Sequence, residues 1–521
     1  MDMKARYHGE PATEQDRPRF ATLAFARDDR PSFDFAFAPE LTPEERLSTD
    51  PATIEVLRDL GAIIGESPGR ESADILAIHT YFGQFIDHDI TKLALQVADE
   101  KAILDEDFPV FELGQVRAIQ NSRFPALDLD SVYGGDAADM WDRSTGKMLL
   151  GRVTEVPEEN RPIPTETLLH DVPRRPKPEN RPADGDEAAH ADDRRALIGD
   201  PRNDENLIVS QLHVAFLRSH NALVDKSTAP TPAEKFEFAR RELTQRYQGA
   251  VLNDYLKHVG DREVVAAILR DGPSHWTPAA DEIVMPIEFS GAAFRFGHSM
   301  IRDAYNFNST FNSSKDALAK GTLKFMFTFT ALSGQLGPDT LWERQPESLP
   351  NNWIIEWNRF FDSRNLANEI DANLALGLSA LPDQLGNIPA GIMAKLAVRN
   401  LLRGYQLSLP TGQAMAARMG LPTLDSEAIV SCIPAHHQER MKRTFIGTST
   451  PLWFYILAEA QLNKGRLGKL GTTIIAETLW NLVKHSPHSV LEDSSFDLTK
   501  EDFTLQGIIS LGIDQKIRDA A

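Results

Sequence analysis

A single cysteine, Cys432, in a chain of 521 residues excludes any intramolecular disulfide, which suits a cytoplasmic protein and leaves room for an exported one without bridges. No run of eighteen uncharged apolar residues occurs, so no membrane span is expected. The stretch Met1 to Phe20 is polar and charged, without an apolar core of the kind a secretory leader carries. On these absences a cytoplasmic location is favoured over export without a recognisable signal. Basic residues are also scarce: 55 Lys and Arg stand against 76 Asp and Glu, for a formal charge of -21. A surface that negative repels phosphate backbones and anionic lipids, which argues against a nucleic-acid or membrane-surface role. What remains is a small-molecule enzyme or a protein-binding module.

Alternating strand patterns are few and short, and no internal repeat of fixed period is present. Helical spacing of apolar residues is frequent instead. It runs from Asp74 to Val97, Leu207 to Lys226 and Ala233 to Val259, and again over Gly291–Tyr305, Asn352–Ser363, Pro389–Arg403, Thr411–Met419, Pro451–Leu462 and Thr472–His485. The expected fold class is mainly α: one large helical domain over residues 51–521, with long irregular loops and little β structure. Residues 1–50 lack steady periodicity and read as an N-terminal arm. Residues 155–193 are dense in proline and charge and read as a surface excursion within the domain.

Four polar clusters stand out from the apolar helices. Tyr81-Phe-Gly-Gln-Phe-Ile-Asp-His-Asp89 packs Gln84, Asp87, His88 and Asp89 into six residues, and buried carboxylates there need a metal, a covalent bond or a cation as partner. Asp200-Pro-Arg-Asn-Asp-Glu-Asn206 puts Arg202 and Glu205 three apart; taken alone it is a helix N-cap with acidic residues favourably placed. Phe294-Arg-Phe-Gly-His-Ser-Met300 sets Arg295 one turn before His298, and Gly297 allows close approach to the backbone. Asn400-Leu-Leu-Arg403 is a polar pair one turn apart on an apolar helix.

Together and in this order, from about Ile75 to Arg403, the four segments resemble the animal-type haem peroxidase superfamily and its bacterial members. The resemblance implies roles for each. His88 would be the distal acid–base histidine, Gln84 its pocket neighbour and Arg202 the distal arginine. Asp87 and Glu205 would be carboxylates esterified to haem methyls, so that the cofactor is haem b or an ester-linked haem. Asn206 follows Glu205, and an amide there makes the sulfonium link seen with methionine chemically impossible. His298 would be the iron ligand, Arg295 and Arg403 haem-propionate partners, and Asn400 the acceptor that orients the proximal imidazole. Asp128-Leu-Asp-Ser-Val-Tyr-Gly134 resembles the family's calcium loop, completed by Asp89 and Asp130 and by the backbone at Phe124 and Ala126. Phe124 stands where the family commonly has threonine, so one side-chain oxygen is missing there.

The activity so implied is reduction of hydrogen peroxide to water through a ferryl haem radical, with oxidation of a small donor such as a halide, thiocyanate or phenol. His88 would shuttle the peroxide proton, and Arg202 would stabilise charge on the breaking bond. An alternative within the superfamily is a fatty-acid dioxygenase, which needs a tyrosyl radical. The tyrosine of the cyclooxygenase pattern is replaced by Arg295, which leaves Tyr305 or Tyr455 to serve. A non-catalytic haem-binding interaction protein is the second alternative. The pair His436-His437 reads as solvated and Cys432 as a packed thiol.

Overall fold

The structure is a computed structural model and describes residues 32–94, 103, 108–134, 140–156, 169–175, 195–279, 282–328, 330, 348–363, 365–380, 391–493 and 503–519. Most of the excursion 155–193 and residues 1–31 of the N-terminal arm lie outside that set. The longer helices are α1 (Pro51–Ile64), α2 (Ala77–Ile90), α3 (Leu207–Lys226), α4 (Pro232–Ala250), α5 (Arg262–Asp271), α6 (Leu396–Gln406), α7 (Leu452–Leu462), α8 (Lys469–Lys484) and α9 (Leu505–Asp519). Among the described residues, strands occur only as short two-stranded pairs: 33–34 with 285–286, 71–76 with 366–368, 93–94 with 120–121, and 304–305 with 321–322. The fold is mainly α, as the spacing of apolar residues predicts.

α3 is the central rod. Asn206 caps its N-terminus by accepting the Val209 N–H at 3.0 Å, and every residue from Leu207 to Val224 is buried. A helix apolar on one face alone cannot be enclosed on all sides, so its polar residues each need a partner. Gln211 donates to the His170 carbonyl, Ser219 to the Ile508 carbonyl, Arg218 to the Gly512 carbonyl, and Asn221 pairs with the backbone of Met148. These bonds fix what surrounds α3: α9 lies along it and α2 packs beside it. Burying each large aliphatic or aromatic side chain in this core contributes about 1.5–3 kcal/mol.

Four predicted helices differ from what forms. The pattern from Asp74 to Val97 divides into strand 71–76, α2 and strand 93–94. Ser72 Oγ accepts the Asp74 and Ile75 N–H groups and holds the chain extended before α2. Thr91 ends α2 by turning extended and donating its hydroxyl to Asp87 Oδ1 at 2.7 Å. Gly291–Tyr305 is not one helix: Ile287–Gly291 is followed by a tight 3-10 turn, Ala293–His298, and then strand 304–305. Asn352–Ser363 likewise breaks into Asn351–Trp353 and Trp357–Phe360. Over Pro389–Arg403 a 3-10 turn, Gly391–Ala394, precedes α6, and 381–390 lie outside the described residues. Apolar spacing reports which residues face the core and is blind to such tightening.

Candidate active site

α2 is buried on nearly all sides, which requires close neighbours. Gly83 permits one of them, because a Cβ there would lie 2.5 Å from the Tyr255 hydroxyl. The last turn carries Asp87, His88 and Asp89 into the region where α2 meets both the turn Pro201–Asp204 and the turn Ala293–His298. All four clusters singled out in the sequence therefore border one region.

On the α2 side, His88 is buried and its Nδ1 lies 2.8 Å from Asn203 Oδ1. The same amide turns its Nδ2 to His213 Nδ1 at 3.1 Å. Burial pushes His213 down to about 3, so it stays neutral and accepts from the amide. Asn203 Oδ1 then accepts the His88 Nδ1–H, which leaves the lone pair of His88 on Nε2. Sequence reasoning missed Asn203 and His213. The signal was present only as polar residues beside Arg202 and inside the apolar α3.

Arg202 is held by Asp200 at 2.7 Å and donates to the carbonyls of His88 at 3.1 Å and Thr91 at 2.7 Å, so it also closes the C-terminus of α2. Its Nη1 lies 3.8 Å from Asp87 Oδ2. Asp87 leaves 37% of its side chain accessible although atoms crowd it enough for burial to raise its pKa. Gln84 Oε1 accepts from Asn206 Nδ2 at 3.0 Å, while its Nε2 is buried without a partner among the described residues. Glu205 is the half-buried residue that ends the turn after Asp204.

On the turn Ala293–His298, Arg295 Nε donates to the Ser290 carbonyl and Nη1 to Asn400 Oδ1, both at 3.0 Å. Trp453 of α7 holds the Arg295 carbonyl at 3.2 Å. Burial lowers the Arg295 pKa, and Asp87 is the charge that counters it. Asn400 Nδ2 lies 2.9 Å from His298 Nδ1. The expectation that Asn400 accepts from this imidazole is thus reversed here. A guanidinium can only donate, so Arg295 claims the amide oxygen and turns the amide nitrogen to the histidine. Arg403 donates to Gln406 Oε1 at 2.5 Å. Beside His298, a Cβ on Gly297 would meet nothing within 4 Å, so the backbone there faces open space.

The loop after residue 122 is joined to α2 by backbone bonds. Asp89 accepts the Leu129 N–H at 3.2 Å and the Ser131 N–H at 2.9 Å, and so holds Leu129 at a left-handed φ of 59°. Burial and the nearby Asp130 push Asp89 up to about 7; burial, Asp130 and Asp89 push Asp128 well above the usual carboxylate range. Asp130 is paired with Arg123 at 2.7 Å, and Arg123 also pairs with Asp200. The Phe124 carbonyl accepts from Ala126 N–H at 2.8 Å, and the Phe124 ring is exposed. The three carboxylates are not drawn into a set with all donors within 4.8 Å of one another.

The donor set fits a haem. An orphaned amide at Gln84, open backbone at Gly297 and the engaged Nδ1 of His88 suit a planar cofactor beside them, and His298 joins the set once the Asn400 amide turns its oxygen to the ring. Tyr305 and Tyr455 lie elsewhere in role, their hydroxyls accepting the Arg302 N–H at 2.7 Å and the Leu424 N–H at 2.8 Å.

Comparison with known proteins defines the class. Residues 107–485, well over half of the chain, match the family model for animal haem peroxidase. The chain belongs to the animal haem peroxidase family. Among curated relatives, heme peroxidase 2 of Caenorhabditis elegans is 25% identical over 278 residues, covering 44% of this chain and 36% of that protein. A peroxidase-like protein of Margaritifera margaritifera is 28% identical over 260 residues, covering 44% and 32%. The chain thus spans about a third of the length of these relatives. Peroxidase A of Dictyostelium discoideum has the same fold, with a TM-score of 0.57 at 18% identity and 98% coverage of both chains. So does the fatty acid alpha-dioxygenase of Arabidopsis thaliana, at 0.54 and 14%, with 94% and 76% covered.

Proposed function

We propose that the chain is a haem-dependent peroxidase that reduces hydrogen peroxide and oxidises a small donor, a halide, thiocyanate or phenol. The observation that supports it most is that His88 and His298 stand on elements packed against each other, each engaged at Nδ1 by an asparagine amide. Haem, when bound, supplies an iron with an open position for peroxide. His298 would hold the cofactor from one side; ligation through Nε2 puts the ring proton on Nδ1, so Asn400 would orient the ring by presenting its amide oxygen there in place of the nitrogen it now turns to it. His88 takes the proton of one peroxide oxygen on Nε2 and returns it to the other, its ring held by Asn203. Arg202, permanently cationic, stabilises the negative charge that develops as the oxygens part. Gln84 lends the unpartnered amide N–H to the same pocket. Arg295 and Arg403 would hold the propionates, and Asp87 and Glu205 would be the carboxylates of any ester links.

Calcium is part of the proposal on grounds of charge. Asp89 is buried and Asp128 half-buried, each next to like charges, while Arg123 is paired with Asp130 and Asp200. A divalent cation would replace the protons these groups otherwise hold, provided the loop draws its oxygens together. The dioxygenase alternative is disfavoured by Arg295 and by the backbone roles of the Tyr305 and Tyr455 hydroxyls.

The test is an absorption spectrum and pyridine haemochrome of the purified protein before and after acid–acetone extraction, followed by assays of peroxide-dependent phenol oxidation. A haem spectrum with peroxide turnover is expected. A colourless protein that will not take up haem, or oxygen uptake with fatty acid in the absence of peroxide, would overturn the reading.

A further inference from the structure

We propose that His79, Asp254 and His258 form a binding site for a divalent transition metal ion of the zinc class, built where the start of α2 meets the helical segment after α4. None of the three belongs to the haem constellation. His79 lies nine residues before His88 on α2, about 13 Å along the helix axis.

The chain builds this cluster through a local irregularity. After Ala250, α4 widens into a π-helical turn, Val251–Tyr255, and then resumes as Leu256–Val259. Such turns are rare and gather at functional sites. Asp254 lies in the wide turn, and His258 follows four residues later on the same face. His79, 2% exposed, comes from the first turn of α2.

Both imidazoles converge on one carboxylate oxygen. His79 Nε2 lies 3.2 Å and His258 Nδ1 2.9 Å from Asp254 Oδ1, with the two rings stacked at 4.2 Å. One donor atom from each residue falls within 4.8 Å of the others. Donors bound to tetrahedral zinc at about 2.0–2.1 Å lie roughly 3.3–3.4 Å apart. Two of the three donor separations, each imidazole nitrogen to the carboxylate oxygen, are therefore already near that spacing, and the third lies within 4.8 Å. The second oxygen of Asp254 is fixed by the Leu505 N–H at 2.9 Å, which orients the carboxylate and ties the site to the first residue of α9.

The ligand chemistry narrows the ion. Two imidazoles and one carboxylate suit zinc, cobalt or copper and do not suit calcium or magnesium, which want oxygens. Three protein ligands leave a fourth position, and His258, 39% exposed, opens the cluster towards solvent for a water there. Two features work against binding. The His258 Nδ1 also reaches the Asp254 carbonyl at 2.9 Å, a bond that ligation at Nδ1 gives up. Arg466 brings a guanidinium to the His258 carbonyl, although it is paired with Asp74. Without metal, the same contacts form a histidine–aspartate clamp, with protons where the ion would sit.

The experiment uses tag-free, haem-loaded full-length protein, stripped with EDTA and titrated with ZnCl2, then with CoCl2. Zinc and iron are measured separately in each sample. We expect one zinc per chain, a rise in Tm with zinc, and the visible absorption of tetrahedral Co2+. His258→Gln, at a partly exposed position, should weaken zinc binding at least tenfold while the haem spectrum is kept. Asp254→Asn should do the same. His437→Gln reports on the exposed group Glu66, His436 and His437 and should change nothing. Zinc that washes out of the parent protein, affinity unchanged in His258→Gln, or zinc lost only in His437→Gln would each refute the site.

Discussion

Asn203 places its amide oxygen 2.8 Å from Nδ1 of His88 and its amide nitrogen 3.1 Å from Nδ1 of His213. One side chain thereby sets the tautomers of two buried imidazoles. Asn203→Ala should slow reaction with peroxide by about ten- to a hundredfold, the cost usual for losing a partner that orients a working histidine. Asn203→Asp should instead hold His88 protonated to higher pH and shift the acid limb of the rate profile upward. Stopped-flow rates over a pH series check both. Unchanged rates in Asn203→Ala would remove Asn203 from the positioning role.

The Asn400 amide is shared between Arg295 and His298. Asn400→Asp would replace it with a carboxylate that accepts the imidazole N–H and pairs with the guanidinium. The ring then donates more electron density, and the haem reduction potential should fall. A shift on the order of 100 mV is expected, a fraction of the ~0.8 V that ligand changes span. Potentiometric titration of the two proteins decides it, and equal potentials would mean that Asn400 does not address the imidazole.

How far the sequence could be read depended on whether the information was local. α3 forms over the residues its apolar spacing predicts, because Asn206 caps it and nothing within it breaks the pattern. Around His298 apolar spacing predicts one helix, and the tight turn Ala293–His298 forms instead, packed against α7 and α2 that lie far off in sequence. The site residues were legible as clusters. Their bonds were not: Asn203, Arg123 and the reversed amide of Asn400 depend on which groups meet across more than seventy residues. The metal cluster escaped for the same reason, since His79 carries no signal until Asp254 and His258 are brought beside it.

Calcium dependence tests the loop at Asp128. Asp89, buried, and Asp128, half-buried, lie among like charges, and a cation that binds only the folded protein stabilises it by mass action, by about 2.7 kcal/mol at a hundred times Kd. CaCl2 should raise Tm, EGTA should lower it, and Asp128→Asn should lose the response. Calorimetry with equal Tm in both additions would show that Arg123 and the backbone bonds of Asp89 suffice.

Glu288 provides a pH prediction away from the haem region. It is fully buried and accepts the N–H groups of Ala36, Phe37 and Ala38, so it fastens residues 36–38 to the core. Burial, outweighing these bonds, pushes its carboxyl from 4.5 up to about 7. The folded protein therefore binds this proton more tightly than the unfolded chain does. Its stabilising contribution is complete below about pH 4.5 and is lost as pH rises through about 7. At 1.36 kcal/mol per unit the loss amounts to at most about 3 kcal/mol. Glu288→Gln cannot titrate, so the stability gap between parent and variant should narrow as pH rises from 5 to 8. Denaturant unfolding at four pH values measures the gap, and parallel curves would show that Glu288 keeps an ordinary acidity in the folded protein.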